Sequence, residues 1–185
     1  MRVTAGAAKG TRLRTATRAA TRPTSDMVKE AIFNALAPRL GGTRVLDLFA
    51  GTGGLGIEAL SRGAREAVFV ERDPRSAAII RDNLRAAGVE GLGAVRRANA
   101  LTEVAALGRE GVRFDIVILD PPYGQRLQVR ALRALVEAGV LTPGAVAVVE
   151  GHWRDDPGEV AGLRRVRAAR YGETGVWFYE PDGGA

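Results

Sequence analysis

A chain of 185 residues suits one domain, or one domain with a small appendage. It has no cysteine and a single histidine, His152, which excludes disulfides, thiolate metal sites, cysteine nucleophiles and multi-histidine metal cages, and fits a cytoplasmic protein. The net charge is +6 and comes almost entirely from arginine, because Lys9 and Lys29 are the only lysines. That excess suits a nucleic-acid partner, and a GC-rich coding bias produces the same excess. No apolar run is long enough to span a membrane. The basic N-terminus lacks the apolar segment of a secretory signal.

In chain order, residues 2–5 and 11–15 (RVTA, TRLRT) predict a β-hairpin around GAAKG. Residues 1–22 carry Arg2, Lys9, Arg12, Arg14, Arg18 and Arg22 with no acid before Asp26. Such a cluster fits a phosphate-contacting arm, and a solvated tail would look similar. In RPTSDMVKEAIFNAL, Thr24 or Ser25 can cap a helix whose apolar face is Val28, Ala31, Ile32, Ala35 and Leu36, with Pro38 and Gly41–Gly42 ending it.

From there strands and helices alternate. RVLDLF (44–49) predicts a buried strand, followed by a Gly-rich turn and a helix over 53–62. EAVFVE (66–71) predicts a second strand, and Asp73-Pro74 opens a helix lined by Ala77, Ile80, Leu84 and Ala87. A weaker third strand (92–98) and a short helix (101–108) precede FDIVIL (114–119), the fourth strand. A helix over 126–138 is expected to bury Leu127, Ala131, Leu135 and Ala138, and AVAVVE (145–150) is the fifth strand. Continuous apolar strands alternating with helices imply a parallel sheet covered on both faces. Residues 163–181 break the rhythm: two β-type runs joined at GETG predict an antiparallel hairpin on the sheet edge. The expected fold is therefore α/β, doubly wound and Rossmann-like. It would have a mostly parallel seven-stranded sheet, an edge hairpin and a small N-terminal hairpin. Residues 1–22 form the arm, 23–181 the main domain and 182–185 a tail.

Two stretches carry chemistry. LDLFAGTGGLG places Gly51, Gly53 and Gly56 as G-x-G-x-x-G between a strand and a helix, where backbone can approach a nucleoside ligand. Asp47 stands four residues before the first glycine, where it would repel a pyrophosphate and attract an ammonium group. S-adenosylmethionine has that ammonium and a sulfonium. Glu71 ends the second strand, where its carboxylate can accept from both ribose hydroxyls; a nicotinamide dinucleotide would use it too. Asn99 can face an adenine, or cap the helix that succeeds it, or do both.

The second stretch is DPPYG (120–124), at the end of the fourth strand. An exocyclic base amine is a poor nucleophile because its lone pair is delocalised into the ring. Two acceptors on its N–H groups favour a pyramidal nitrogen. Asp120 supplies one acceptor and the Pro121 carbonyl the other, held stiff because Pro122 restricts the residue before it. Tyr123 offers a stacking face. Orientation and electrostatic stabilisation would carry the rate, with Asp120 positioned to take the proton; no metal is required.

The DPPY motif and D-x-F-A-G-x-G loop resemble class I S-adenosylmethionine-dependent amino-methyltransferases. More narrowly, RPTSDMVKEAIFNAL, DLFAGTGGLGIEALSRGA, DPPY and YGETGVWFYE resemble the RsmD family, bacterial methyltransferases of guanine N2 in 16S ribosomal RNA, from about Arg2 to Pro181. The resemblance implies that Asp47, Phe49, Ala50, Gly51 and Gly53 hold the amino-acid end of S-adenosylmethionine. It implies that Glu71 and its neighbour Arg72 bind the ribose, and that Asn99 and Ala100 border the adenine. Asp120, Pro121, Pro122 and Tyr123 would hold the guanine, with Asp120 also beside the cofactor. Thr24 would contact the cofactor or cap its helix, and Lys29 replaces an arginine usual in the family. Ribosomal RNA or an assembling small subunit is the implied partner, with a cytoplasmic monomer and no membrane. A DNA adenine or cytosine N-methyltransferase shares DPPY, and would normally need a target-recognition domain for which this length leaves no room. An NAD-dependent oxidoreductase and a non-catalytic RNA-binding protein are the readings from other classes.

Overall fold

The computed structural model describes residues 1–16, 26–122 and 126–183. Their strands are β1 (Arg44–Leu48), β2 (Glu66–Val70), β3 (Gly93–Arg96), β4 (Phe114–Leu119), β5 (Leu141–His152), β6 (Leu163–Tyr171) and β7 (Thr174–Pro181). They form one sheet in the order β3-β2-β1-β4-β5-β7-β6. The first five are parallel to one another, while β7 runs antiparallel between β5 and β6. Strand order reverses between β1 and β4, and a sheet of this type opens a ligand crevice at the carboxyl ends beside that reversal.

Side-chain alternation splits the sheet into two cores. Val45, Ile116, Ile118, Val146, Val148, Val176 and Phe178 face helices α1 (Asp26–Leu40), α2 (Gly54–Ser61) and α3 (Pro74–Ala86). Leu46, Leu48, Val117, Leu119, Ala147, Val149, Trp177 and Tyr179 face α4 (Ala100–Arg109) and α5 (Leu127–Glu137). Because both faces are covered, the central strands read as unbroken apolar runs.

Three expectations change. Pro38 does not end α1, which continues to Leu40. Proline inside a helix forfeits a backbone hydrogen bond and crowds the preceding turn, at a cost of about 3 kcal/mol or more. Burial of Val28, Ile32, Phe33, Leu36 and Leu40, at roughly 1.5–3 kcal/mol each, outweighs it. The buried face also rotates: Phe33 is inside, whereas Ala31 and Ala35 are half-exposed. In α5 the buried residues are Gln128, Ala131, Leu132 and Leu135, while Leu127 and Ala138 are only half-buried.

The N-terminal segment turns back on itself as a short antiparallel hairpin: Arg2 bridges Arg12, the Val3 N–H donates to the Thr11 carbonyl (3.0 Å), the Gly10 N–H to the Val3 carbonyl (2.9 Å) and the Leu13 N–H to the Met1 carbonyl (3.0 Å). Val3, Ala8 and Leu13 sink into the α1–α3 core. Its tie to the body is the buried carboxylate of Glu58 on α2. Glu58 accepts from the Thr4 N–H (2.9 Å), the Thr4 hydroxyl (2.8 Å), the Ala5 N–H (3.0 Å) and Arg62 Nε (2.8 Å). Lys29 Nζ, itself 1% exposed, lies 3.4 Å from the same carboxylate and donates to the Arg2 carbonyl. Burial pushes the Glu58 pKa up, but the hydrogen bonds from Thr4 and Arg62 and the Lys29 charge outweigh it, and the net shift is downward. On the other side Ser61 Oγ accepts from the Ala8 N–H at 2.9 Å and donates to the Ala5 carbonyl at 2.6 Å.

Candidate active site

The crevice is built from the segments that leave the carboxyl ends of β1, β2, β3 and β4. After Leu48 the backbone turns sharply: Phe49 has φ of 70°, Gly51 56° and Gly53 83°. A positive φ at a bulky residue is costly, and such strain persists where the surroundings enforce it. Here the Ala50 N–H donates to the Val70 carbonyl (3.0 Å) and the Gly53 N–H to the Ala50 carbonyl (2.7 Å). Gly53 then caps α2 in the left-handed region. Gly56 serves by its missing side chain: a Cβ there would lie 2.3 Å from the Phe69 ring and 3.0 Å from Asp47 Oδ2.

Asp47 is 1% exposed and accepts from the Gly56 N–H at 2.8 Å. It thus fixes the first turn of α2 beneath the glycine loop. Burial pushes its pKa from 3.8 to about 7; the Gly56 N–H pulls it down, and the charge of Glu71 adds to the rise. Glu71, just past β2, accepts from the Gly51 N–H through Oε2 (2.9 Å) and from the Asp73 N–H through Oε1 (2.8 Å). Each oxygen keeps acceptor capacity for a further donor. The adjacent Arg72 is exposed. Asn99 caps α4, its Oδ1 accepting from the N–H groups of Leu101 (3.0 Å) and Thr102 (3.4 Å). Ala100, the first residue of α4, is buried.

Asp120 succeeds β4, with Pro121 buried and Pro122 exposed behind it. Burial raises the Asp120 pKa well above the usual carboxylate range, and the charges of Glu150 and Asp47 raise it further. Glu150 is 4% exposed on β5, one residue beyond Val149, the register partner of Leu119. Sheet alternation puts Asp47, Asp120 and Glu150 on one face, at the same edge of β1, β4 and β5. No cluster suited to a metal ion occurs among the described residues.

The structure therefore gathers Asp47, Phe49, Ala50, Gly51, Gly53, Glu71, Arg72, Asn99, Ala100, Asp120, Pro121 and Pro122 along one edge. Thr24, Tyr123, Arg18 and Arg22 lie outside the described residues. Of the remaining basic residues of the arm, Lys9 and Arg12 are exposed. Arg14 pairs with Asp82 (2.7 Å), and Arg2 lies 3.8 Å from Asp26.

Two residues escaped the sequence reading. Glu150 closes the apolar run AVAVVE, so its place at a strand end was visible there. Asn83 had no such signal. It is fully buried in α3, accepts from the Arg14 N–H (2.7 Å), and donates to the carbonyls of Arg14 (3.0 Å) and Thr52 (2.9 Å). One amide thereby joins the basic arm to the glycine loop.

A seven-stranded sheet of this order, with its acids and glycine loop at the carboxyl edge, defines a doubly wound fold of the class I methyltransferase type. Solved structures agree: a candidate methyltransferase of Escherichia coli superposes with a TM-score of 0.88 at 31% identity, covering 100% of this chain and 99% of that one. A Haemophilus influenzae candidate methylase gives 0.80 at 30% identity, covering 97% of each. The family model described as conserved hypothetical protein 95 matches residues 1–180. Ribosomal RNA small subunit methyltransferase D of Haemophilus influenzae is 35% identical over 81% of this chain and 78% of its own length. A candidate rRNA methyltransferase of Bacillus subtilis is 38% identical over 99% of this chain and 100% of its own. The chain belongs to the family of ribosomal RNA small subunit methyltransferase D.

Proposed function

We propose that this protein transfers a methyl group from S-adenosylmethionine to the exocyclic N2 amine of a guanine in 16S ribosomal RNA, as a cytoplasmic monomer. The observation that carries the reading is the set of acids at the carboxyl edge of the sheet, with Asp47 and Glu150 buried and Asp120 half-buried. Burial and the charges of neighbouring carboxylates push both Asp47 and Asp120 toward their neutral forms. A crevice in that condition suits a positively charged ligand and disfavours a pyrophosphate, which argues against a nicotinamide dinucleotide.

The residues present fit S-adenosylmethionine. Nothing lies within 4 Å of where a Gly51 Cβ would sit, so the loop leaves room for a ligand against its backbone. Asp47, Gly51 and Gly53 would hold the amino-acid end, Glu71 the ribose, and Asn99 and Ala100 the adenine, with Phe49, Ala50, Arg72 and Thr24 completing the cofactor contacts. When bound, the cofactor supplies a methyl group on a cationic sulfur. Asp120 accepts one N–H of the guanine amine and the Pro121 carbonyl the other, while Pro122 stiffens that carbonyl and Tyr123 stacks on the flipped base. As positive charge grows on the nitrogen, Asp120 stabilises it and then takes the proton; the raised affinity of this carboxyl for a proton favours that transfer.

Residues 1–22 act as an RNA-contacting arm on the body formed by 23–181, through Arg2, Lys9, Arg12, Arg14, Arg18 and Arg22, with 182–185 as a tail. The names of the relatives, which specify the small subunit, support RNA over a DNA target. Nucleoside mass spectrometry of unmodified small subunits incubated with the enzyme and S-adenosylmethionine tests this directly. N2-methylguanosine at one position is expected; methylation of adenine or cytosine, or none, would overturn it.

A further inference from the structure

Arginines of the C-terminal hairpin and of the turn after β5 differ in their partners; Arg167 lies over the Phe178 ring, 5.6 Å from its centroid. Toward the far end, Arg164 pairs with Glu180 (3.1 Å) and Arg165 with Asp156 (2.7 Å). At the catalytic end, neither Arg170 of β6 nor Arg154 takes part in any ion pair among the described residues. Both instead lie over Trp153: the guanidinium carbon of Arg170 is 3.9 Å from the ring centroid and that of Arg154 is 5.2 Å away.

The local chain enforces this stack. Trp153 opens a short 3-10 turn, Trp153–Asp155, immediately after β5. Its N–H donates to the Glu173 carbonyl at 2.9 Å, which ties it to the turn between β6 and β7. The His152 Nδ1 accepts from the Arg154 N–H at 3.2 Å, fixing where Arg154 leaves the backbone. The Nε of Arg170 donates to the Gly172 carbonyl at 2.7 Å. Arg170 thus has its ring face and Nε engaged, while its two terminal amino groups have no partner among the described residues. Both arginines are exposed.

β5 runs parallel to β4, so this turn leaves the sheet at the same edge as Asp120. Trp153 is three residues beyond Glu150, which lies level with Asp120. At about 3.3 Å per residue, the two positions are on the order of 10 Å apart along the strand direction. A single strand whose target base enters the crevice would carry its flanking phosphates across this turn.

We propose that Trp153, Arg154 and Arg170 form a phosphate clamp for the RNA backbone flanking the target guanine, a second nucleic-acid surface on the opposite side of the catalytic edge from the N-terminal arm. The inference rests on the reading of the site as an RNA methyltransferase. Guanidinium groups already held on an indole lose little freedom when they meet a phosphate, and their forked donors match its oxygens.

The test compares two doubly substituted proteins that lose the same charge: Arg154→Ala with Arg170→Ala, and Arg164→Ala with Arg165→Ala. The RNA probe is a small-subunit RNA fragment containing the methylated position, measured from about 50 to 200 mM salt. The first pair is expected to lose roughly tenfold in affinity and to lower the salt slope by about two, near one per lost phosphate contact. Its affinity for S-adenosylmethionine and its single-turnover rate at saturating RNA should stay at the wild-type level. The acid-paired controls should lose less than about twofold. Equal losses in the two pairs would reduce the effect to net charge and overturn the clamp, as would an unchanged salt slope in the first pair. Absence of methyl transfer by the wild-type protein would instead defeat the underlying functional reading.

Discussion

Two buried carboxylates on neighbouring elements meet opposite fates. Glu58 is fully buried and Asp47 is 1% exposed, yet the first is held below the usual carboxylate range and the second is pushed up to about 7. Their difference lies in their partners. Glu58 has two backbone N–H donors, a hydroxyl, Arg62 and the buried Lys29. Asp47 has one backbone donor, with Glu71 adding to its rise and Asp120 raised in turn by its charge. The satisfied acid closes an architectural joint between the N-terminal segment and α2. The acids at the carboxyl edge of the sheet have fewer donors from the chain, and we read them as suited to a cationic ligand. A buried ionisable group thus points to structure when the chain itself supplies its donors in full, and to a ligand site when it does not.

The largest expected effect breaks the structural half of this contrast. Glu58→Ala leaves the buried Lys29 with the exposed Asp26 (3.6 Å) as its remaining acid among the described residues, and should cost about 3–5 kcal/mol of unfolding free energy in urea. Cofactor affinity of the fraction that remains folded should stay unchanged. A cost under about 1 kcal/mol would mean that the joint is incidental.

Asp120→Asn strikes the other half. It preserves shape and removes the acceptor charge, so single-turnover methyl transfer should fall on the order of 10²–10³-fold. S-adenosylmethionine binding should persist or tighten slightly at low pH. Loss of folding instead would make DPP a structural turn.

A third prediction concerns stability against pH. The folded pKa of Asp47, about 7, lies above its unfolded value near 3.8, so its stabilisation is complete below about pH 4 and is lost as pH rises through 7. The cofactor-free protein should therefore weaken across that window by an amount on the order of 4 kcal/mol for this group. Asp47→Asn should flatten the profile. The smallest effect belongs to the arm: Arg14→Ala removes an exposed ion pair with Asp82 and should change stability by under about 1 kcal/mol. Neutralising Arg12 should still weaken RNA binding and lower its salt dependence.

The contrast also explains what the sequence could convey. Strand and helix placement was legible because burial on both faces leaves unbroken apolar runs such as FDIVIL, and because Asp73-Pro74 and Asn99 announce their helices locally. The position of the site residues was legible for the same reason: Asp47, Glu71, Asn99 and Asp120 each sit at or just past a predictable strand end. The joint was not. Glu58 finds Thr4 across 54 residues and Asn83 finds Arg14 across 69, and no local pattern encodes such pairings. Pro38 misled because its local cost is visible in sequence, whereas burial of Leu40 depends on the sheet beneath it.

Titration calorimetry of S-adenosylmethionine from pH 5.5 to 7.5, comparing wild type with Asp47→Asn, tests the cation site most directly. Below about pH 7 a bound cation is expected to displace a proton from Asp47. Wild-type affinity should therefore rise with pH, approaching tenfold per pH unit, with protons released on binding. The slope should be smaller in Asp47→Asn. A wild-type affinity that is flat across this range, with no proton release, would contradict a crevice held in wait for positive charge.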